Sequence, residues 1–301
     1  MTIVIYNSDS ADGWCAAWIF DRALGGCELV PATDEYPPHN LDGKEVIVVG
    51  HSYCRDDMLR MNAVAHKLTV LDYHEGAEEA CKDLSFCLYD PGHSAATLAY
   101  WWCKDFGRLE DLKQDVKMRG IVAGMSPLSD YLRDRELMTF ALDASEAINA
   151  AIRSYPWTLD VWDWLAKQCN VSPMALLPEG QGILRYRRQL IEHHMGNVQL
   201  LQVCGWTVRA ALCSAGDIAG ELAFELSKGK PFGVAFCYTP TGDVLFHLRS
   251  DEDGQDVLKI AQEFGGDGHY HSAGFRLEGI YLRGLNTKDG LVVHARAKVD
   301  G

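Results

Sequence analysis

The sequence predicts an α/β protein: an N-terminal doubly wound, mostly parallel sheet, a helical linker, and a smaller C-terminal α+β domain. Three observations carry that prediction. Over the first 150 residues, short apolar β-branched runs alternate with segments of helical period, the rhythm of parallel βαβ units. Each run ends in a polar, often glycine-containing loop before the next helix. From about residue 203 the rhythm changes to alternating strands with two helices among them. With 301 residues and 48% hydrophobic content, the chain can bury two cores. The expected domains are 1–150, a linker at 151–202, a second domain at 203–282 and a tail at 283–301.

The first strand is Thr2-Ile3-Val4-Ile5-Tyr6, an apolar run of the kind that parallel sheets bury on both faces. It ends in Asn7-Ser8-Asp9-Ser10-Ala11-Asp12-Gly13, and Trp14, Ala17, Trp18, Phe20, Asp21 and Leu24 then recur at helical spacing. Glu45 to Val49 is the next strand, ending at Gly50-His51-Ser52-Tyr53 before a helix from Asp56 to Ala65. Leu68 to Leu71 ends in Asp72-Tyr73-His74-Glu75-Gly76. Phe86 to Tyr89 ends in Asp90-Pro91-Gly92-His93-Ser94 before the helix from Thr97 to Trp102. Four such ends in one sheet would bring Asp9, Asp12, His51, Asp72, His74, Asp90 and His93 to one rim. Open α/β sheets bind ligands at that carboxyl edge. Oxygen and imidazole donors there suit manganese, magnesium or zinc. The plainer role for Asp9 or Asp12 is capping the next helix, and for His51 and His93 a hydrogen bond to loop backbone.

Trp157, Val161, Trp162, Leu165 and Ala166 give the linker a helical core stripe, and Ile183 to Leu201 continues as helix after a loop at 173–182. Arg185-Tyr186-Arg187-Arg188 is the compact basic run, read as a solvated helix face with a phosphate track as the alternative. In the C-terminal domain Val208 to Leu212, Phe232 to Tyr238 and Val244 to Leu248 are strands. Residues 264–275 then place four glycines and two histidines between Phe264 and Phe275. Glycine N–H groups can line an anion-binding concavity, and His269 and His271 can add donors. The plain reading is a tight turn between a helix and a strand.

With those residues assembled, the chain resembles the DHH phosphoesterase superfamily over residues 1 to about 280. Asp9 to Gly13 resembles the first motif, Asp72-Tyr73-His74 the name-giving third, and His93-Ser94-Ala95-Ala96 the fourth. Tyr131 to Leu137 is similar to a segment that supplies a further metal-binding aspartate, here Asp134. Gly265-Gly266-Asp267-Gly268-His269 with Ser272-Ala273-Gly274 resembles the substrate loop of the C-terminal DHHA1 domain, and Arg249 fits its phosphate-binding arginine. The resemblance implies a hydrolase of the nuclease or phosphodiesterase type acting on short oligonucleotides or nucleotides. Its cofactor would be manganese, with magnesium the alternative, held by Asp9, Asp12, Asp134 and His74. His74 would also assist catalysis, while Ser94, Arg249, Gly265, Gly266, Gly268, His269 and His271 would grip substrate.

Four positions depart from that pattern. Asn7 stands where a metal-binding histidine is usual, Gly50 where an aspartate bridges two metals, and Tyr73 where the first histidine of the motif belongs. Tyr270 replaces an arginine after His269. Glycine brings no charge to two cations roughly 3.5–4 Å apart. The departures open a second expectation, a pseudoenzyme that binds a nucleotide, nucleic acid or protein partner without cleaving it.

The formal net charge of −14 argues against strong binding to long DNA, where phosphate neutralisation dominates affinity. No apolar run is long enough to span a membrane. The ten cysteines form neither a CxxC pair nor a zinc pattern, and Cys15, Cys87, Cys103 and Cys237 sit in apolar contexts as expected buried thiols. A reduced, cytoplasmic protein is expected, with a homodimer left open.

Overall fold

A computed structural model describes residues 2–33, 37–38, 40–213, 218–277 and 291–293. The chain divides into two compact units, Met1–Leu184 and Arg185–Gly301.

The first unit contains β1 (Thr2–Tyr6), α1 (Ala11–Leu24), β2 (Glu28–Pro31), β3 (Glu45–Val49), α2 (Arg55–Val64) and β4 (Lys67–Asp72). It continues with α3 (Glu78–Cys81), β5 (Cys87–Tyr89), α4 (Ala95–Asp105), α5 (Arg108–Leu112), α6 (Val116–Glu136), α7 (Ser145–Ser154) and α8 (Leu159–Val171). α9 (Leu177–Met195) runs across the division. The five strands form an all-parallel sheet in the order β2-β1-β3-β4-β5. The chain reverses direction of winding between β1 and β3, the switch point at which such sheets bind ligands.

The strand sequences account for this sheet. Val4, Tyr6, Ile47, Val49 and Leu71 face α1, α4, α6 and α8, while Ile3, Ile5, Val46, Val48 and Val70 face α2 and α3. Strands buried on both faces need apolar residues at successive positions, which is what the β-branched runs supply. β2 was not read from the sequence: it is a four-residue edge strand whose ends are exposed, too short for a pattern.

Trp162, Leu165, Ala166 and Cys169 of α8 belong to the same core as Trp18 and Phe20 of α1. The segment expected as a linker from residue 151 is therefore a packed layer of the first unit up to Leu184. The expected loop at 173–182 is a 3-10 turn, Pro173–Leu176, followed by the start of α9. Pro178 stands in the first turn, where its missing N–H breaks no helical hydrogen bond. Gly180 sits where a Cβ would come within 1.8 Å of the Ala147 carbonyl oxygen, so the glycine serves close packing rather than a turn.

The second unit contains β6 (Gln199–Val203), β7 (Trp206–Leu212), α10 (Ala219–Ser227), β8 (Gly233–Tyr238) and β9 (Val244–Arg249). α11 (Val257–Gln262), β10 (Asp267–His269), β11 (Ser272–Leu277) and β12 (Leu291–Val293) complete it. Its sheet is mixed, in the order β10-β11-β9-β8-β7-β6-β12. The helix expected to reach Leu201 ends at Met195, and residues 199–203 pair antiparallel with β7 instead. The expected tail lies outside the described residues except for β12, which pairs parallel with β6. Among the described residues no helix is long and apolar enough to cross a membrane.

Candidate functional site

Backbone hydrogen bonds align the strand ends into a rim. The Asn7 N–H donates to the Val49 carbonyl at 3.4 Å, that of Gly50 to Leu71 at 2.9 Å, and that of Asp90 to Asp72 at 3.0 Å. The loops after β1, β3, β4 and β5 therefore leave the sheet side by side.

After β1, the Asn7 side-chain oxygen accepts from the Asp9 N–H at 2.9 Å, closing an Asx turn. Asp9 is left exposed, its carboxylate 3.4 Å from the Ser8 hydroxyl. Ser10, rather than either aspartate, caps α1 by accepting from Gly13 N–H at 3.0 Å. Gly13 is required because a Cβ there would lie 2.0 Å from the Asn7 carbonyl oxygen.

That close approach buries Asp12 completely. Its Oδ1 accepts from the Ser94 hydroxyl at 2.6 Å and the Ala96 N–H at 3.2 Å. Its Oδ2 is buried without a hydrogen-bond partner. Burial, with the charge of Glu136 second, raises Asp12 to about 7, against the pull of Ser94 and the α4 backbone. Glu136 is raised in turn, chiefly by burial. Ser94, expected to touch substrate, is itself fully buried with its hydroxyl committed to Asp12; its role is to position that carboxylate.

After β4, Asp72 is buried and accepts from the N–H groups of Tyr73 at 2.8 Å and His74 at 3.3 Å. The same Oδ1 meets His74 Nδ1 at 2.7 Å, and Oδ2 accepts from the Ser52 hydroxyl at 2.5 Å. Burial would push Asp72 up, but these hydrogen bonds and His74 hold it below the ordinary carboxylate range. Burial likewise opposes a charged His74, yet Asp72, with Glu136 and Asp12 behind it, raises the imidazole net. Tyr73 stacks on the His74 ring at 4.1 Å, and burial among carboxylates keeps its phenol neutral far above the usual range.

The structure thus gathers Asp12, Asp72, Tyr73, His74 and Glu136, with Ser52 and Ser94 as supports. Glu136 was not foreseen, and Asp134 is not part of the group. The Asp134 carboxylate accepts from the Thr139 hydroxyl at 2.6 Å and the N–H groups of Ala141 at 2.8 Å and Leu142 at 3.2 Å. Residues two apart on a helix point about 200° apart, so only one of the pair can face the sheet. The stripe of buried Leu128 and Leu132 predicts position 136 by its spacing of four. Of the remaining rim residues, His93 Nδ1 pairs with Asp90 Oδ2 at 3.0 Å, and His51 packs edge-on to Tyr53 at 4.6 Å.

Gly50 adopts a φ of +64°, and a Cβ there would stand 2.7 Å from the Ala95 Cβ. No group of three or more His, Cys, Asp or Glu side chains among the described residues is arranged to hold a metal ion. The donors present therefore do not fit a two-metal centre. One orphaned, buried carboxylate oxygen on Asp12 is the feature that fits a cation.

In the second unit, Phe264 and Phe275 stack at 4.3 Å and anchor the glycine-rich loop as expected. Its first half is a helix end. Gly265 has a φ of +77°, its N–H donates to the Gln262 carbonyl at 3.1 Å, and that of Gly266 to Ala261 at 2.9 Å. This is the Schellman arrangement, and it takes the two N–H groups expected to hold substrate. Gly268 stands opposite Ala273 in the β10–β11 pairing, where a Cβ would come within 2.5 Å of the Ala273 Cα. His271 Nδ1 lies 2.9 Å from the Ser250 hydroxyl, and His269 is exposed. Arg249 is half-buried; its Nη1 donates to the Leu248 carbonyl at 2.8 Å and its Nη2 lies 2.9 Å from where a Gly220 Cβ would be. Burial pulls its pKa down, and no carboxylate among the described residues pairs with it.

No protein-family model matches the chain. An uncharacterized protein of Acanthamoeba polyphaga mimivirus is 22% identical over 306 residues, covering 92% of this chain and 68% of the viral protein. Among solved structures, the DHH domain of a member of the S1p family of ribosomal proteins superposes with a TM-score of 0.55 at 12% identity, over 92% of this chain and 83% of that one. An exopolyphosphatase-related protein from Bacteroides fragilis gives 0.50 at 14% identity, over 93% and 87%. A pGpG-specific phosphodiesterase from Vibrio cholerae gives 0.48 at 10% identity, over 92% of each chain. The chain shares the fold of the DHH-domain structure, with an N-terminal parallel α/β unit and a mixed-sheet unit later in the chain.

Proposed function

We propose that this chain binds the phosphate end of a nucleotide or short oligonucleotide on a phosphoesterase fold that has lost its two-metal chemistry. Gly50 carries the reading. By the resemblance, its position belongs to the carboxylate that two cations share, and its left-handed φ and contact with Ala95 leave no room for an acid. Asn7 is committed to the Asp9 backbone, Tyr73 is neutral and Asp134 is held by its own loop. What supports a ligand is Arg249. A half-buried guanidinium without a carboxylate partner favours an anion, and its planar fork suits phosphate.

A second reading rests on the unpartnered Asp12 Oδ2. Asp12 and Glu136 would hold a single manganese or magnesium ion whose other positions go to water and substrate. Such an ion lowers the pKa of a bound water and would make slow hydrolysis accessible. In either case Ser94 orients Asp12, and Asp72 orients the His74 ring.

The test is to titrate the protein and Asp12→Ala with the dinucleotide pApA, with and without manganese. Heat of binding and released mononucleotide would both be measured. The proposal expects binding by both proteins and no cleavage. Cleavage by the parent that is lost in Asp12→Ala would establish the single-cation reading. Absence of binding under every condition would remove the nucleotide altogether.

A further inference from the structure

We propose that Cys81 and Cys87 form a peroxide-reactive dithiol that closes to a reversible disulfide. The sequence gives no hint of it, because the two lie six apart and match no redox motif. The fold brings them together: Cys81 ends α3, Cys87 opens β5, and both line one cavity, where each thiol influences the other. The intervening turn is tight, with Leu84 N–H donating to the Cys81 carbonyl at 3.1 Å and Cys87 N–H to Leu84 at 2.9 Å.

Three further features suit reaction at Cys81. Both cysteines line a cavity of about 320 Å³, which gives a small oxidant a place to meet them. The Ser52 hydroxyl lies 3.6 Å from the Cys81 sulfur, and the Arg55 guanidinium is fixed nearby by the Lys82 carbonyl at 2.5 Å. The Cys87 thiol, then Ser52 and the Arg55 charge, lower Cys81 against the opposing effects of burial and Asp72, so Cys81 is the attacking sulfur. Cys87 is raised by Cys81 in turn and acts as the resolving thiol.

The Cys81 thiolate attacks one oxygen of hydrogen peroxide; an S–O bond forms, the O–O bond breaks, and the hydroxide released leaves as water after taking a proton. Cys87 sulfur then attacks Cys81 sulfur, forming S–S and breaking S–O. The hydroxyl leaves as a second water with the Cys87 proton. Two thiols lose two electrons and peroxide is reduced to two waters.

The protein would be exposed to a small excess of hydrogen peroxide, its remaining thiols alkylated, and the tryptic peptides sequenced by mass spectrometry. Trypsin cuts after Lys82, between the two cysteines, so the disulfide joins two peptides. The expected result is a Cys81–Cys87 link, about 2 Da below the sum of the reduced peptides and reversed by dithiothreitol. Cys87→Ser should instead leave a sulfenic acid on Cys81 that dimedone traps. The proposal is overturned if no link forms and Cys81 is oxidised no faster than the exposed Cys54.

Discussion

Asp12 sits in an environment that resists its own charge, and that has a measurable consequence. Burial, reinforced by Glu136, raises it from 3.8 to about 7. A carboxyl raised on folding holds its proton more tightly in the native state than in the unfolded chain. Below pH 3.8 both states keep that proton; between pH 3.8 and about 7 the native state keeps more, so stability falls as pH rises through this window. Above it the ionised side chain imposes its full cost. Asp12→Asn retains an acceptor for Ser94 and removes the titration. In metal-free buffer it should unfold at a higher temperature than the parent at pH 8, with the difference shrinking toward pH 4. Each kcal/mol is worth roughly 2–4 °C in a unit of this size. A difference that is flat across pH would show that Asp12 is not the titrating group. Much of this cluster was legible: Asp12, Asp72 and His74 follow strand ends, where the sheet's geometry fixes their direction. Asp134 and Glu136 were not separable by residue type, because both are acids on one helix; only the core stripe decides between them.

Glu136 reaches the rim because α6 is held against α8 at unusually short range. A Cβ at Gly124 would lie 1.7 Å from the Ala166 carbonyl oxygen, so the helices meet backbone to backbone. Ile121, Met125, Leu128 and Leu132 then lie in one core with Trp162, Leu165 and Ala166. Gly124→Ala adds one methyl and must push α6 off α8. The expected cost is about 1–3 kcal/mol, offset only slightly by the better helix propensity of alanine. Urea denaturation would measure it as a lower midpoint at unchanged slope, and an unchanged midpoint would show that the two helices can separate freely. Elements of this kind were only half legible. β1, β3 and β4 follow from β-branched runs buried on both faces. α6 carries Pro127 and five charged side chains in its last eight residues, so its period is blurred although its packing is not. The 173–182 stretch shows the opposite error, since Pro178 and Gly180 mark a helix start and a close contact rather than a loop.

The net charge of −14 and the half-buried guanidinium of Arg249, which no carboxylate among the described residues pairs with, together bear on what the molecule can hold. The basic run on α9 adds little: Arg187 is paired with Glu221 at 2.9 Å, while Arg185 and Arg188 are exposed. Long single strands bind by releasing counterions, with a salt slope of roughly −0.7 per phosphate neutralised. With that net charge, and with Arg249 as the proposed grip, the protein is expected to neutralise one or two phosphates. Fluorescence anisotropy should therefore give a labelled dinucleotide and a labelled 30-mer similar affinities, both with a shallow slope of about −1. Arg249→Ala removes a charge-assisted contact worth about 1.5–3 kcal/mol and should weaken the dinucleotide roughly 10- to 100-fold. Its fold should survive, because the side chain leans on Gly220 and its own strand's backbone rather than anchoring a core. A steep salt slope with preference for the 30-mer would instead point to a track of cations along the backbone. In that case Arg249→Ala would lower the slope by less than one unit and leave the dinucleotide affinity nearly unchanged, and the phosphate grip would have to be sought away from β9.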